Sequence, residues 1–147
     1  MKTATATQTR PFRPTVALAH VTDDAGRTLL LKVRDSHTWV LPGGSVVPGE
    51  SAADAVAYHL RHALRLPLRP DRRTSWGLST KIPDDPRRGW LVLYPCGTLS
   101  AEEINRISLP EVAVPKILAF TFAEPTELRR RLRSDHLTLL AQAGACA

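Results

Sequence analysis

The chain is poor in sulfur and in aromatic rings. Its 147 residues hold two cysteines, one methionine and only eight Phe, Trp and Tyr side chains. Two cysteines exclude a disulfide-stapled scaffold and a cysteine-rich metal site. Cys96 falls in an apolar, strand-like run and Cys146 is the penultimate residue, so a buried thiol and a tail thiol are expected, in a reducing, cytoplasmic setting. No apolar run approaches the ~18–20 residues that a helix needs to cross a bilayer, which argues against a membrane protein. Acidic residues are outnumbered, 14 against 20 Lys and Arg, for a net charge of +6. A positive field favours anionic ligands. Its clusters, Arg61 to Arg73 and Arg129 to Arg133, are not interleaved with aromatics, so a solvated basic surface is expected rather than a nucleic-acid site. A phosphate-binding P-loop is also missing, as is any spacing that argues for a Ser/His/Asp or Cys/His nucleophile.

What is present suits one domain with an ordinary core, since 43% of the residues are apolar and the length suffices to bury them. Residues 1–14 are Thr-rich with scattered basic residues and no apolar stretch that could serve as a signal core. They read as a flexible leader, or as a transit peptide, ahead of a single domain over 15–147. Thr15 to Val21 and Thr28 to Val33 have the β-branched and apolar content of strands, joined by the turn-forming Thr22 to Gly26. Ser51 begins a helix that reaches about Leu66. Ser51 is its N-cap, Asp54 lies three residues on, and Pro67 and Pro70 stop it. At about 100° per residue Ala53, Val56, Ala57, Leu60 and Leu64 share one apolar stripe. Thr74 to Lys81 and Trp90 to Cys96 read as strands around a turn-rich stretch, 83–89. Ser100 opens a short helix, Leu118 to Ala123 forms a further strand, and Glu127 to Gln142 a last helix with Pro125 near its first turn. Strands, helix, strands, helix is the order of an α/β (α+β) domain, a mixed β-sheet sandwiched between α-helices.

The stretch from Trp39 to Ala55 carries the most information. Gly43 and Gly44 let the backbone turn tightly and approach a ligand. Glu50 stands at the helix N-terminus, where the dipole and free N–H groups favour a carboxylate, so a structural role competes with a metal role. His59 and His62 are neighbours on the helix surface at i and i+3, beside the apolar stripe. Imidazole titrates near neutral pH, so the pair suits acid–base chemistry. Alternatively it ligates a softer transition metal such as zinc, although no third ligand is evident, or it is simply a polar substitution. Asp54, Tyr58 and His62 line one helix edge at four-residue spacing, either as a proton-transfer row or as a solvated edge. Arg34 and Trp39 flank the loop before the glycines and are candidates to line a cleft. Trp76, with Trp90 and Tyr94, sits on a strand, where core packing competes with stacking on a ligand. His20 reads as a half-buried, satisfied residue, and His37 and His136 as surface residues.

Those residues resemble the Nudix box: Gly, five residues, Glu, seven residues, Arg-Glu, an apolar residue, any residue, Glu-Glu, any residue, Gly and an apolar residue. Gly44 and Glu50 match at the right spacing, Leu60 and Leu66 match the apolar positions, and the Pro-Gly-Gly run and Gly49-Glu50-Ser51 are also similar. The resemblance extends over roughly residues 15 to 142 and implies a Nudix-like fold. The second half of the box departs from the pattern: Tyr58-His59 replaces Arg-Glu, His62-Ala63 replaces Glu-Glu, and Arg65 replaces the closing Gly. In the family those glutamates bind divalent ions that polarise a diphosphate and activate water. Magnesium asks for hard oxygen donors, so a magnesium cofactor and ordinary diphosphate hydrolysis are not expected. The resemblance does not extend to the Nudix-fold isopentenyl-diphosphate isomerases, whose cysteine and histidine would fall at Gly43 and Ser45.

Three functional expectations follow. The first is a repurposed enzyme of small-molecule metabolism, with catalytic His59, His62, Glu50, Asp54 and Tyr58 and substrate-binding Arg34, Trp39, Gly43, Gly44 and Trp76. The second is a ligand-binding domain without chemistry. The third is a divergent hydrolase of nucleoside or organic diphosphates, recruiting carboxylates from Glu50, Asp54 and the Glu102 to Glu111 segment. A small, anionic molecule is the expected partner in each. Nudix-like domains also pair, so a homodimer is a further expectation. The Arg- and Ala-rich composition resembles that of high-GC bacteria, where such domains accompany specialised, natural-product biosynthesis.

Overall fold

The computed structural model describes residues 14–81, 88–111 and 116–145. The expected leader (apart from Pro14), most of the turn at 83–89 and Cys146 lie outside the described residues. Ten elements follow in the order β1 (Val16–Asp23), β2 (Thr28–Val33), β3 (Gly43–Ser45), α1 (Ala52–Leu64), β4 (Trp76–Lys81), β5 (Arg88–Leu99), α2 (Ala101–Asn105), β6 (Ile117–Ala123), α3 (Pro125–Arg131) and α4 (Ser134–Gln142). They form the expected mixed sheet between helices. Its strand order is β4-β5-β1-β2-β6, with β3 paired to β1. The β1–β5 pair is parallel, while β1–β2, β2–β6 and β4–β5 are antiparallel. Among the described residues no helix is long and apolar enough to cross a membrane.

Alternation along the central strands divides the core in two. Ala17, Ala19, Val21, Leu29 and Leu31 face α1 and pack on Val56, Leu60 and Leu64. Leu18 and Leu30 point the other way, onto Leu128, Leu139 and Leu140 of α3 and α4. This is the period-two pattern of a sheet covered on both faces. Two alanines beneath α1 let the helix lie close to β1. The buried face of α1 also differs from the expected stripe. Ala52, Ala55 and Ala63 are buried, whereas Ala57 is only half-buried. Methyl-sized residues satisfy a close helix–sheet contact that an apolar-stripe count underweights.

β1 and β2 pair at Thr22 and Thr28, beside the Asp23–Arg27 turn, and then diverge. The gap is filled by the segment 39–45. Val40 exchanges main-chain hydrogen bonds with Leu31, at 2.8 and 2.9 Å, and the Ala19 N–H donates to the Pro42 carbonyl at 2.8 Å. β3 then lies on β1 with Gly44 opposite Ala17 and Gly43 opposite Leu18. Gly43 has a φ of +146°, and a Cβ there would run into the Ala17 carbonyl, so only glycine fits this approach.

The single C-terminal helix expected over 127–142 is instead two, broken at Leu132 and Arg133. The Trp39 N–H donates to the Arg131 carbonyl and the Arg133 N–H to the Trp39 carbonyl, both at 2.9 Å. Backbone that serves as a strand partner for Trp39 cannot continue as helix. The opposite-sign surprise is at the end of α1, where Arg65 closes the helix in the left-handed conformation at φ 60°, its N–H on the Arg61 carbonyl. A glycine would hold that conformation more cheaply.

Candidate functional site

The segment 41–45 is held from both faces of the sheet by histidines. On the α1 face, His59 Nε2 lies 2.9 Å from the Ser45 carbonyl oxygen. A carbonyl only accepts, so Nε2 carries the proton and Nδ1 keeps its lone pair. The ring lies over Gly44, where a Cβ would fall 2.6 to 2.9 Å from three of its atoms. Gly44 is therefore needed for the space it leaves, and the imidazole is positioned by the glycine below it and the carbonyl beside it. Tyr58 packs edge-on against both neighbours, with ring centroids 4.0 Å from His62 and 5.5 Å from His59. Tyr58 is 52% exposed and His62 is also exposed, so this group of rings is open to solvent. Val40, Phe120 and Phe122 border the same side of the sheet, half-buried.

On the opposite face, His136 of α4 is buried, and the Leu41 N–H donates to its Nδ1 at 3.1 Å. The expectation of a surface residue is corrected here. His136 shares its face of α4 with Leu139 and Leu140, both buried, and this spacing was the available signal. Burial pushes its pKa down to about 4; Asp135 opposes that shift and Arg133 adds to it. His20 is half-buried and within 3.4 Å of the Thr28 hydroxyl, as expected, and His37 is exposed.

The remaining expected site residues are distributed more widely. Gly43, Gly44, Tyr58, His59 and His62 come together. Glu50 turns back on its own loop, its Oε1 accepting from the Val47 N–H at 3.3 Å. Asp54 accepts a hydrogen bond from Arg72, which holds its carboxyl below the usual range. Trp39 and Trp76 pack against the α3–α4 side of the sheet, and the Arg131 guanidinium stacks 4.9 Å from the Trp39 ring. Arg34 opens the turn after β2, its N–H on the Lys116 carbonyl, with its side chain exposed. The expected buried thiol is at Cys96, 5% exposed and pushed up to about 12 by burial.

α1 and the turn before it offer few of the hard oxygen donors that magnesium prefers. His59 is committed to a carbonyl, position 63 offers a methyl group, and Glu50 and Asp54 have partners of their own. Glu103 completes a capping box with Ser100 and Glu102 pairs with Arg106. Among the described residues no three His, Cys, Asp or Glu side chains converge as an ion's ligands would.

No protein-family model matches the sequence, and neither does any curated protein. Solved structures do match. A MutT NUDIX hydrolase from Burkholderia pseudomallei is 21% identical, with a TM-score of 0.65 over 88% of this chain and 98% of that one. A MutT protein from Methanosarcina mazei Go1 is 17% identical, with a TM-score of 0.65 over 92% and 99%. A C. elegans Ap4A hydrolase in a binary complex is 17% identical, with a TM-score of 0.70 over 88% and 94%. Together with the box residues that lead into α1, this likeness establishes that the chain has the Nudix fold.

Proposed function

We propose that this chain is an enzyme of small-molecule metabolism that works in the Nudix cleft by acid–base chemistry of His59 and His62 rather than by magnesium-dependent diphosphate hydrolysis. The observation that carries the proposal is the orientation of His59. Its Nε2 proton is committed to the Ser45 carbonyl, so Nδ1 is the nitrogen left to accept a proton. His62, exposed one helical step away and braced by Tyr58, is free to donate or accept one at the mouth of the cleft. A positioned imidazole pair contributes on the order of 10²- to 10⁴-fold to a proton transfer. The net charge of +6 favours an anionic substrate, and the composition suits a role in specialised, natural-product biosynthesis.

Pure ligand binding is the second reading, supported by the engagement of Glu50 and Asp54 with Val47 and Arg72. The same engagement weighs against a divergent hydrolase, which would need those carboxylates.

The test is a substrate panel of phosphorylated and carboxylated metabolites, followed by single-turnover kinetics on His59→Ala and His62→Ala. For the compound turned over, each variant is expected to lose at least about 100-fold in rate while keeping affinity within about threefold. Hydrolysis of a nucleoside diphosphate compound that depends on magnesium and is abolished by a chelator would overturn the proposal. Saturable binding without turnover of any bound compound would favour the second reading.

A further inference from the structure

The side of α1 turned toward β5 carries a concavity separate from the His59 ring, which lies over β3. Ala57 and Arg61, one helical turn apart, form one wall of an open pocket of about 860 Å³, within the usual range of small-molecule sites. The segment 67–73 forms the opposite wall, and Pro95 to Gly97 of β5 form the floor. This wall is built into the fold. Leu66 and Pro70 are buried and Leu68 is half-buried, while Pro67 and Arg69 between them are exposed. That is the in–out alternation of an extended segment, stiffened by two prolines. The Asp71 N–H then fastens the segment to the Pro95 carbonyl at 2.8 Å.

Four arginines line the pocket, at positions 61, 69, 72 and 73, against one aspartate, Asp71. Their guanidiniums are not equivalent. Arg72 is paired with Asp54 and Arg73 with the half-buried Asp71, and both arginines are exposed, where an ion pair contributes little. The side chains of Arg61 and Arg69 form no hydrogen bond or ion pair among the described residues. Like charges gathered around one concavity without internal partners repel one another, and an anion bound among them relieves that repulsion.

We propose that this pocket binds the diphosphate group of a small molecule, held in the first place by Arg61 and Arg69. Arg72 and Arg73 exchange their carboxylate partners for it. Guanidinium forks match phosphate oxygens two at a time, and the surplus positive charge of the lining exceeds what one carboxylate neutralises. No aromatic side chain lines the pocket, so it offers no ring on which a nucleic-acid base could stack. Its floor also lacks a nucleophile, the Cys96 thiol being buried and pushed up to about 12. The site is therefore one of binding, not of reaction.

The experiment is a titration of the full ¹⁵N-labelled chain with inorganic pyrophosphate, followed by NMR and by calorimetry. Saturable shifts are expected at the Arg61, Asp71 and Gly97 amides and not at Gly44 or Ser45. Arg61→Ala with Arg69→Ala is expected to raise Kd at least about tenfold, and the paired Lys replacements to raise it less. Asp71→Asn, which releases Arg73 and removes a negative charge, is expected to lower Kd about threefold; damage to the fold does not tighten binding. His59→Ala with His62→Ala is expected to leave this Kd unchanged, so the pocket is tested independently of the catalytic proposal. Three results would overturn the inference: no saturable binding, shifts confined to Gly44 and Ser45, or displacement of pyrophosphate by a single-stranded oligonucleotide at lower concentration.

Discussion

His59 and His136 reach the same short segment from opposite faces of the sheet and hold it by opposite chemistry. His59 is half-exposed and donates to the Ser45 carbonyl. His136 is buried and accepts from the Leu41 N–H. One contact survives protonation of the ring, since the donating nitrogen already carries its proton. The other is lost, because a protonated His136 has no lone pair for Leu41. The same residue type thus serves as an oriented, accessible group on one face and as a structural pin on the other, and burial decides which.

Truncation separates the two roles most strongly. His136→Ala opens a cavity and leaves the buried Leu41 N–H without an acceptor. We expect a loss of about 3 kcal/mol or more in unfolding free energy by urea denaturation. His59→Ala removes a half-exposed ring and is expected to cost about 1 kcal/mol or less, its effect falling on turnover. Equal losses at the two positions would break the comparison.

Acid is expected to act next in size, through His136. The folded-state pKa of His136 is lowered from 6.5 to about 4, so the unfolded chain binds the proton first as pH falls. The stability tied to a neutral His136 is complete above about pH 6.5. It declines from there to about pH 4, below which both states are protonated and the loss levels off. At about 1.4 kcal/mol per unit the total is on the order of 3 kcal/mol. His136→Gln is expected to flatten that slope in urea midpoints measured across the window, and an unchanged slope would remove His136 from the account.

Gly44→Ala gives a smaller and more local effect than either change at His136. The added methyl meets the His59 ring, which must swing off the Ser45 carbonyl at a cost of about 1–2 kcal/mol. The expected readout is a change in the His59 ring resonances, together with a fall in turnover close to that of His59→Ala. Pyrophosphate shifts at Gly97 should persist. If the His59 ring keeps its position, the tight contact is not what orients it.

The regular elements were legible because their signals are local. Ser51 as N-cap, the strand content of 28–33 and 118–123, and Ser100 opening a short helix depend on nearest neighbours in the chain. The Gly-Gly approach was legible as well, through its resemblance to the Nudix box. The break between α3 and α4 was not, because it is imposed by Trp39, remote in sequence. Nor were the partners of the site residues. Asp54 lies at the same spacing as Tyr58 and His62, yet its partner is a loop arginine, Arg72.

By itself the sequence determined the layers and the chemical vocabulary of α1: imidazoles and a methyl where a magnesium-binding helix carries glutamates. Tertiary structure decided which imidazole is oriented, which histidine is buried, and where the arginines gather around a pocket. Propensity and periodicity act over a few residues, whereas a hydrogen-bond partner or a desolvating wall comes from wherever the chain has folded back.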